Sequence, residues 1–404
     1  MNSKRLGATI SMLRKKSGMT QEKLALKLNV SNKTISRWES GKGYPEITLL
    51  PSLASVFGVT VDHLLSGERR GITVAGNLLV DLVKNVESYP NVGMLATITE
   101  VKRGIGGCAA NTAVDLAKMD IRLPISVIGK VGGDENGRFV LSSMARYGIN
   151  CDGVTVSDKS ITSFSDVISQ PNGERTFFHA RGANAEFCPK DIDVPVLGCS
   201  ILHIGYILLL DAFDAPDPEY GTVMARFLKG VQAHGIKTSV DVVSSNNADY
   251  KRKIIPALKY CDYIIINELE AAELTSLKPY SPSGELNIAN IKATMEYIAR
   301  QGVRSKVVVH CKRAGFALDV PTGTFTAVPS LDIPVSIIKG SVGAGDAFCA
   351  GCLYALYNGY DDKKMLEYAS SVAAISLTSE NSTDGVVSKS EIEGFALRFR
   401  RKTL

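Results

Sequence analysis

The segment richest in residues that could do chemistry is Gly340-Ser341-Val342-Gly343-Ala344-Gly345-Asp346-Ala347-Phe348. Its three glycines let a backbone approach an anion closely, and the apolar run behind it predicts a helix over 346–357. A helix starting here aims its unbonded N–H groups and the positive end of its dipole at the same point, so a phosphate is a natural guest. Asp346 falls in the first turn. There a carboxylate can take the proton of a hydroxyl awaiting phosphoryl transfer, or serve only as a favourable charge at a helix start. The chain has no GxxxxGK[ST] string, which excludes the P-loop route to ATP.

Such a segment needs a scaffold, and 404 residues at 45% hydrophobic composition can supply a large core. Strands are predicted at Ile72–Ala75, Pro124–Ile128, Ser200–Ile204, Thr238–Val242, Tyr263–Ile266 and Lys306–His310. Helical patterns lie between many of them, at Ala110–Met119, Asn136–Tyr147, Tyr220–His234 and Ile288–Arg300. Strands alternating with helices imply an α/β fold, a mostly parallel sheet covered on both faces, with ligands gathered at the strand C-terminal ends. Two β-rich stretches, Met94–Arg103 and Thr162–His179, break the alternation and suit a small extra sheet. The longest apolar run, Ile201–Leu210, is interrupted by His203, Gly205 and Tyr206 and reads as a buried strand rather than a membrane span.

The first 67 residues differ in charge and pattern. They hold ten Lys/Arg against four Asp/Glu, a net of +6, while the remainder holds 36 against 37, a net of −1. A basic module on a neutral body suits nucleic-acid binding, or merely a solvated basic face. Leu6, Ile10 and Leu13 are spaced for a helix that breaks at Ser17-Gly18. Thr20 can cap a second helix over 21–28, and after a turn at Asn29-Val30, Ser31 can cap a third that ends at Gly41-Lys42-Gly43. Two short helices joined by a tight turn make a helix-turn-helix unit, with Leu50, Leu53, Ala54, Phe57 and Leu64 among the residues of two further helices that close its core.

The string TQEKLALKLNVSNKTISRWESG, followed by LASVFGVTVDHLLSGE, resembles the Cro and phage-repressor type of helix-turn-helix regulator over residues 4–67. That resemblance implies a third helix in the major groove, with Asn32, Lys33, Thr34 and Arg37 reading base edges, Gln21 holding a phosphate, and Ile35 and Trp38 in the core. Regulators of this type read paired half-sites, so a homodimer on double-stranded DNA is expected. Ser66–Gly71 reads as a polar junction, giving domains at 1–67 and 72–404 joined by 68–71.

GAGDAFCAG resembles the C-terminal signature of the ribokinase/PfkB family of carbohydrate kinases, and several further motifs follow the family's order over residues 72 to about 390. The resemblance implies a ribokinase-like α/β/α sandwich with a small β lid. It makes Asp346 the base and Gly343, Ala344 and Gly345 the anion loop, with ATP and Mg2+ required. Gly76-Asn77 and Asp81, with the Gly106-Gly107-Cys108-Ala109-Ala110-Asn111 stretch, resemble the family's sugar-binding positions. Gly129–Asp134 resembles its next phosphate-side loop and Arg181–Asn184 the segment leaving the lid. Asn267-Glu268-Leu269-Glu270 resembles its NxxE, where Asn267 and Glu270 act on magnesium through water rather than as direct metal ligands. Two departures stand out. Gly340-Ser341-Val342 replaces the usual Asp-Thr-Thr, so a potassium site is not carried over, and Lys312-Arg313-Ala314-Gly315 has Lys312 where the nucleotide loop usually has glycine.

Eight cysteines lack the paired spacings of a zinc site, and Cys349-x-x-Cys352 has no second pair or sequence-near His, so reduced core thiols are expected. No signal-peptide pattern opens the chain, and a cytoplasmic location is expected. Asn77, Asp81 and Asn111 suit a polyhydroxylated substrate, and fructose, ribose, a keto-deoxy sugar acid and a nucleoside all meet that requirement. Three readings remain at this level: a kinase coupled to transcription, a catalytically weak sugar sensor controlling DNA binding, or a kinase whose short domain binds only proteins.

Overall fold

The computed structural model describes residues 3–66, 70–171, 174–244 and 249–404. The chain divides into two compact units: residues 1–71 with 193–200 and 233–236, and residues 72–192, 201–232 and 237–404. Residues 67–69 of the expected junction lie outside the described residues.

In the first unit, α1 (Ser3–Lys16), α2 (Gln21–Leu28), α3 (Asn32–Glu39), α4 (Leu50–Phe57) and α5 (Val61–Ser66) enclose one apolar cluster. The helix starts follow from their caps. Thr20 Oγ1 accepts the Lys23 N–H at 3.2 Å and Ser31 Oγ accepts the Thr34 N–H at 3.1 Å, satisfying donors that a helix leaves open. Asn29 takes a left-handed conformation (φ 52°) that turns the chain between α2 and α3. Ile35 and Trp38 are buried, as their helical phase predicts.

An ion pair ties α1 to α3. Arg14 Nε and Nη2 donate to Glu39 Oε1 and Oε2 at 2.6 and 2.9 Å, and Arg14 Nη1 donates to the Met19 carbonyl at 2.7 Å. The Arg14 and Glu39 side chains are only 11% and 7% exposed, so neither charge has water to fall back on.

The second unit opens with β1 (Ile72–Gly76), β2 (Leu79–Val86), β3 (Ile98–Gly106), α6 (Cys108–Met119), β4 (Ile125–Gly132), α7 (Glu135–Ala145) and β5 (Asn150–Ser157). It continues through β6 (Ser163–Ser169), β7 (Arg175–Ala180), β8 (Ile201–Ile207), β9 (Pro216–Asp217), β10 (Gly221–Thr222), α8 (Val223–Ala233), β11 (Lys237–Val242) and α9 (Tyr250–Leu258). Next come β12 (Tyr263–Asn267), α10 (Glu268–Thr275), α11 (Ile288–Arg300), β13 (Lys306–His310), β14 (Ala314–Asp319) and β15 (Thr324–Pro329). Helices α12 (Ala344–Tyr357), α13 (Asp362–Ser376) and α14 (Lys389–Ala396) complete it.

Nine strands form one sheet in the order β15-β14-β13-β12-β11-β8-β1-β4-β5, parallel from β13 to β5. Its central strands are buried on both faces, which is why they read as apolar runs. The antiparallel β13, β14 and β15 finish one edge.

The two stretches that broke the alternation contribute β3, β6 and β7 to a separate sheet of order β3-β2-β6-β7. Its fourth strand, β2, was not anticipated; its signal is the largely apolar run Leu79-Val80-Asp81-Leu82-Val83, with two β-branched valines, two residues beyond Asn77. Helix α8 starts later than expected because Thr222 Oγ1 accepts the Ala225 N–H and so acts as its cap. The run at 201–210 is a strand only to Ile207, since Leu208 turns away at φ 83°. No helix of the described residues is long and apolar enough to cross a membrane.

Glu39→Ala would strand the Arg14 charge in a nearly dry site and should lower the stability of the first unit by about 3 kcal/mol. Trp38, the chain's single tryptophan, reports that unit in a fluorescence melt of the full-length protein. Arg14 holds the Glu39 carboxyl below its usual range against the opposing effect of burial. The contribution is therefore present above the ordinary carboxylate pKa and is lost as pH falls through the lowered value.

Candidate active site

Helix α12 begins at Ala344 behind Gly343, whose φ of 78° needs a glycine and whose absent Cβ would lie 2.5 Å from the Ser382 carbonyl oxygen. The first intrahelical bond runs from the Ala347 N–H to the Gly343 carbonyl at 2.8 Å. The amides of Gly345 and Asp346 thus precede the ladder, at the positive end of a 14-residue helix.

Asp346 projects from this first turn and is 6% exposed. Its Oδ1 accepts the Tyr206 hydroxyl at 2.5 Å and its Oδ2 accepts Asn111 Nδ2 at 2.8 Å. Asn111 can offer only its NH2 here, because its Oδ1 accepts Ser382 Oγ at 2.9 Å. Burial is the largest influence on Asp346 and pushes its pKa up to about 6, against the downward pull of the Tyr206 and Asn111 hydrogen bonds. The same burial, with the Asp346 charge beside it, drives the Tyr206 phenol far above its ordinary range, so the phenol remains a donor.

Strand β2 brings Asp81 to the same place. Its carboxyl is pushed up to about 7, first by burial and then by the Asp346 charge. Gly106 on the neighbouring strand makes room for it, since a Cβ there would sit 2.2 Å from Asp81 Oδ2. Asp81 lines a cleft of about 830 Å³ that also takes in Arg103, Gly104, Ile105, Val342 and Ser382.

Several expected positions have a different local role. Asn77 has no exposed surface; its Oδ1 accepts the Tyr206 N–H at 3.0 Å and its Nδ2 donates to the Leu209 carbonyl at 3.3 Å, so it holds the end of β8 instead of facing the cleft. Asn184 is likewise buried and grips both backbone groups of Leu78. Gly107 caps α6 by geometry, with φ 88° against the Asn77 carbonyl. Asp134 caps α7 through the Gly137 N–H and also accepts from Thr162 N and Oγ1, which accounts for that loop's shape.

Asn267 and Glu270 cap α10 reciprocally: Asn267 Oδ1 accepts the Leu269 and Glu270 N–H groups, and Glu270 Oε2 accepts the Asn267 N–H at 2.9 Å. Ser244 Oγ donates to Glu270 Oε1 at 2.8 Å. Burial pushes Glu270 up to about 7, a carboxylate with little nearby positive charge, and neighbouring Asp241 has a buried Oδ1 without a hydrogen-bond partner. This set of hard oxygens suits a magnesium ion held through water.

Lys312 stands exposed at the tip of the β13–β14 hairpin, which the Cys311 N–H closes onto the Ala314 carbonyl. Gly315, expected at a nucleotide loop, is instead a buried position inside β14 with Phe348 against it, because the hairpin turns two residues earlier.

Tyr206 and Ser382 were not singled out from the sequence. Nor was the grouping of His203, Asp241 and Cys349, whose ligand-type atoms lie within 4.8 Å of one another. Cys349 therefore does have a histidine nearby in space, although 146 residues separate them. Burial drives its thiol pKa far up, which favours the protonated form over a metal-binding thiolate. All eight cysteines are free thiols.

On the first unit, Asn32, Lys33 and Arg37 are exposed on α3, and Lys33 and Arg37 have no ion-pair partner among the described residues. Asn32 Nδ2 reaches Glu22 Oε1 at 3.3 Å, and Thr34 Oγ1 is shared with Ser31 Oγ at 2.8 Å. Gln21 is held from within the unit. Its Nε2 donates inward to Glu39 Oε2 at 2.9 Å, which orients the side chain by one of its two amide hydrogens and leaves the second for another acceptor.

Residues 69–389 match the model of the pfkB family carbohydrate kinases, and residues 10–64 match a helix-turn-helix model. The chain is 23% identical over 330 residues to a ribokinase of Schizosaccharomyces pombe, spanning 80% of this chain and 96% of that protein. It is 26% identical over 330 residues to a 5-dehydro-2-deoxygluconokinase of Geobacillus thermodenitrificans, spanning 79% and 91%. An 80-residue stretch is 44% identical to the HTH-type transcriptional activator BcrR of Enterococcus faecalis, covering 20% of this chain and 39% of the activator. Among solved structures, the ribokinase of Arabidopsis thaliana complexed with ribose and ATP superimposes with a TM-score of 0.67 at 19% identity, covering 81% of this chain and 98% of that one. The fold is thus ribokinase-like, and the chain belongs to the pfkB family of carbohydrate kinases, with a helix-turn-helix domain at its N-terminal end.

Proposed function

We propose that this protein phosphorylates a hydroxyl of a small sugar or sugar-like substrate with ATP, and that the state of its kinase domain is coupled to sequence-specific DNA binding. In this reading residues 1–67 read DNA, 68–71 are a linker and 72–404 form the kinase. The observation that carries the kinase half is a buried carboxylate with a pKa near 6 in the first turn of a glycine-led helix, beside a polar cleft.

Asp346 accepts the proton of the substrate hydroxyl as that oxygen bonds to the γ-phosphorus and the bond to ADP breaks. Tyr206 and Asn111 hold its two oxygens and keep a large fraction deprotonated at neutral pH. The amides of Gly343 to Asp346 face charge on the transferred phosphoryl oxygens. Asp81 accepts sugar hydroxyls, while Asn77 acts at one remove by fixing Tyr206. Asn267 and Glu270 would hold magnesium through water, and the ion would offset charge on the nucleotide phosphates. The sheet β3-β2-β6-β7 serves as a lid that limits wasteful hydrolysis of ATP.

For the first unit, Asn32, Lys33, Thr34 and Arg37 reach the major groove, and a homodimer reads paired half-sites. At the start of α2, Gln21 offers a phosphate contact through the amide hydrogen not given to Glu39.

ADP release by the full-length protein over a panel of sugars and nucleosides tests the kinase reading. One substrate should be turned over, and Asp346→Asn should lower kcat by about a thousandfold or more while the fold stays intact. Binding without turnover would leave only a ligand sensor.

The pH profile tests the carboxylate itself. With Asp346 required as the anion, kcat/KM should fall as pH drops below about 6. Tyr206→Phe removes a hydrogen bond that lowers the Asp346 pKa, so the acid limb should move to higher pH. An unmoved limb would mean that Asp346 does not set it.

DNA selection followed by salt titration tests the other half. Lys33→Ala and Arg37→Ala should each weaken binding to the selected site by about 1–3 kcal/mol and relax sequence preference, and binding of the intact protein should fall as salt rises. Binding that is insensitive to salt and sequence would favour a protein-contact role.

A further inference from the structure

The segment between α13 and α14 backs the glycine segment and also reaches a support of Asp346. A Cβ on Gly343 would lie 2.5 Å from the Ser382 carbonyl oxygen and one on Gly340 would lie 2.9 Å from that of Ser379, so the two segments press backbone against backbone. Ser382 Oγ donates to Asn111 Oδ1 at 2.9 Å, which turns the Asn111 amide toward Asp346. Residues 379–385 are neither helix nor strand, and local bonds shape them: Asn381 Oδ1 accepts the Asp384 N–H at 2.8 Å and Asn381 Nδ2 donates to Asp384 Oδ2 at 2.5 Å. Such turn bonds set the form of a segment without fixing where it sits. Lys118, in the last turn of α6, supplies an anchor from outside. Its Nζ donates to the Thr383 carbonyl at 2.7 Å and to the Asp384 carbonyl at 3.2 Å. Two carbonyl oxygens turned to one point repel each other, and an ammonium with three donors draws them together. The Lys118 side chain is half-buried; burial lowers its pKa, and the charges of Asp115 and Asp384 oppose the fall. Asn111 lies seven residues earlier on the same helix face, so α6 grips this segment twice, at Ser382 and at the two carbonyls that follow.

We propose that Lys118 is a positioning residue for phosphoryl transfer: through residues 379–385 it holds the glycine segment and Asn111 in place around Asp346. It does not line the cleft and acts only through the backbone it tethers. The inference rests on the kinase reading for its effect on turnover, but not for the tether. Amides that stabilise developing charge must be fixed before that charge appears, so a loosened backing slows the transition state more than it weakens binding of the ground state.

The test compares the full-length protein with Lys118→Met, similar in length but uncharged, and Lys118→Arg, which keeps a cationic donor. Hydrogen exchange with Mg2+ and a non-hydrolysable ATP analogue reads the tether without turnover. In Lys118→Met, segments 379–386 and 340–347 should exchange about tenfold faster or more, the loss of a charge-assisted hydrogen bond, with the central strands unmoved; Lys118→Arg should restore part of the protection. On the substrate that ADP release identifies, Lys118→Met should lower kcat by about tenfold or more and leave KM for sugar and ATP within about twofold, the pattern of an interaction lost in the transition state. Propylammonium should raise kcat of Lys118→Ala, whereas tetramethylammonium at the same ionic strength, which has no N–H to donate, should not. If Lys118→Met does not fold, Lys118→Gln carries the same comparisons. Unchanged exchange at both segments, an unchanged kcat, or a loss of kcat matched by a rise in KM and not recovered by arginine would overturn the positioning role. A wild-type protein that turns over no substrate contradicts the kinase reading instead, and exchange at 340–347 then decides the inference alone.

Discussion

The site depends on keeping a carboxylate dry without neutralising it completely. Asp346 is removed from water by the helices and strands around it, and burial alone would protonate it. Two donors from different parts of the chain oppose that: the Tyr206 hydroxyl at the end of β8 and the Asn111 amide on α6. Each donor is itself held, Tyr206 through the backbone bond to Asn77 and Asn111 through Ser382. The resulting pKa near 6 suits a base that must be ionised at neutral pH and still take a proton in the transition state. The fold contributes by placing the C-terminal end of a parallel strand opposite the start of α12.

What could be read in advance was what is local. The caps Thr20 and Ser31, the apolar phase of α3 and the Gly343–Asp346 helix start all depend on residues within one turn of each other. Their spacing is therefore visible in the chain, and so is the alternation that predicts the sheet. Tyr206 was hidden because its partner Asp346 lies 140 residues away, and because a Tyr inside an apolar run looks like core. Ser382 and the His203–Cys349 contact were hidden for the same reason. Asn77 and Gly315 show the converse. Their motifs were recognised, but burial, which only the folded chain defines, turns Asn77 from the cleft, and strand register sets Gly315 inside β14 instead of in a loop.

Charge is divided along the chain as sharply as fold. The basic excess is confined to the first 67 residues, where Lys33 and Arg37 have no ion pair among the described residues while Arg14 is absorbed by Glu39 inside the unit. In the second unit cations and carboxylates line the cleft together, and burial raises both Asp81 at its wall and Asp346 near it.

The most direct measurement is the titration of Asp346 itself, by carbon NMR of protein labelled at the aspartate carboxyls, with Asp346→Asn identifying the resonance. The account predicts a midpoint near 6, well above the ordinary aspartate value of about 3.9. A midpoint at or below that ordinary value would mean a solvated or fully ion-paired carboxylate, and would contradict the buried, donor-held carboxylate on which the proposed role as base depends.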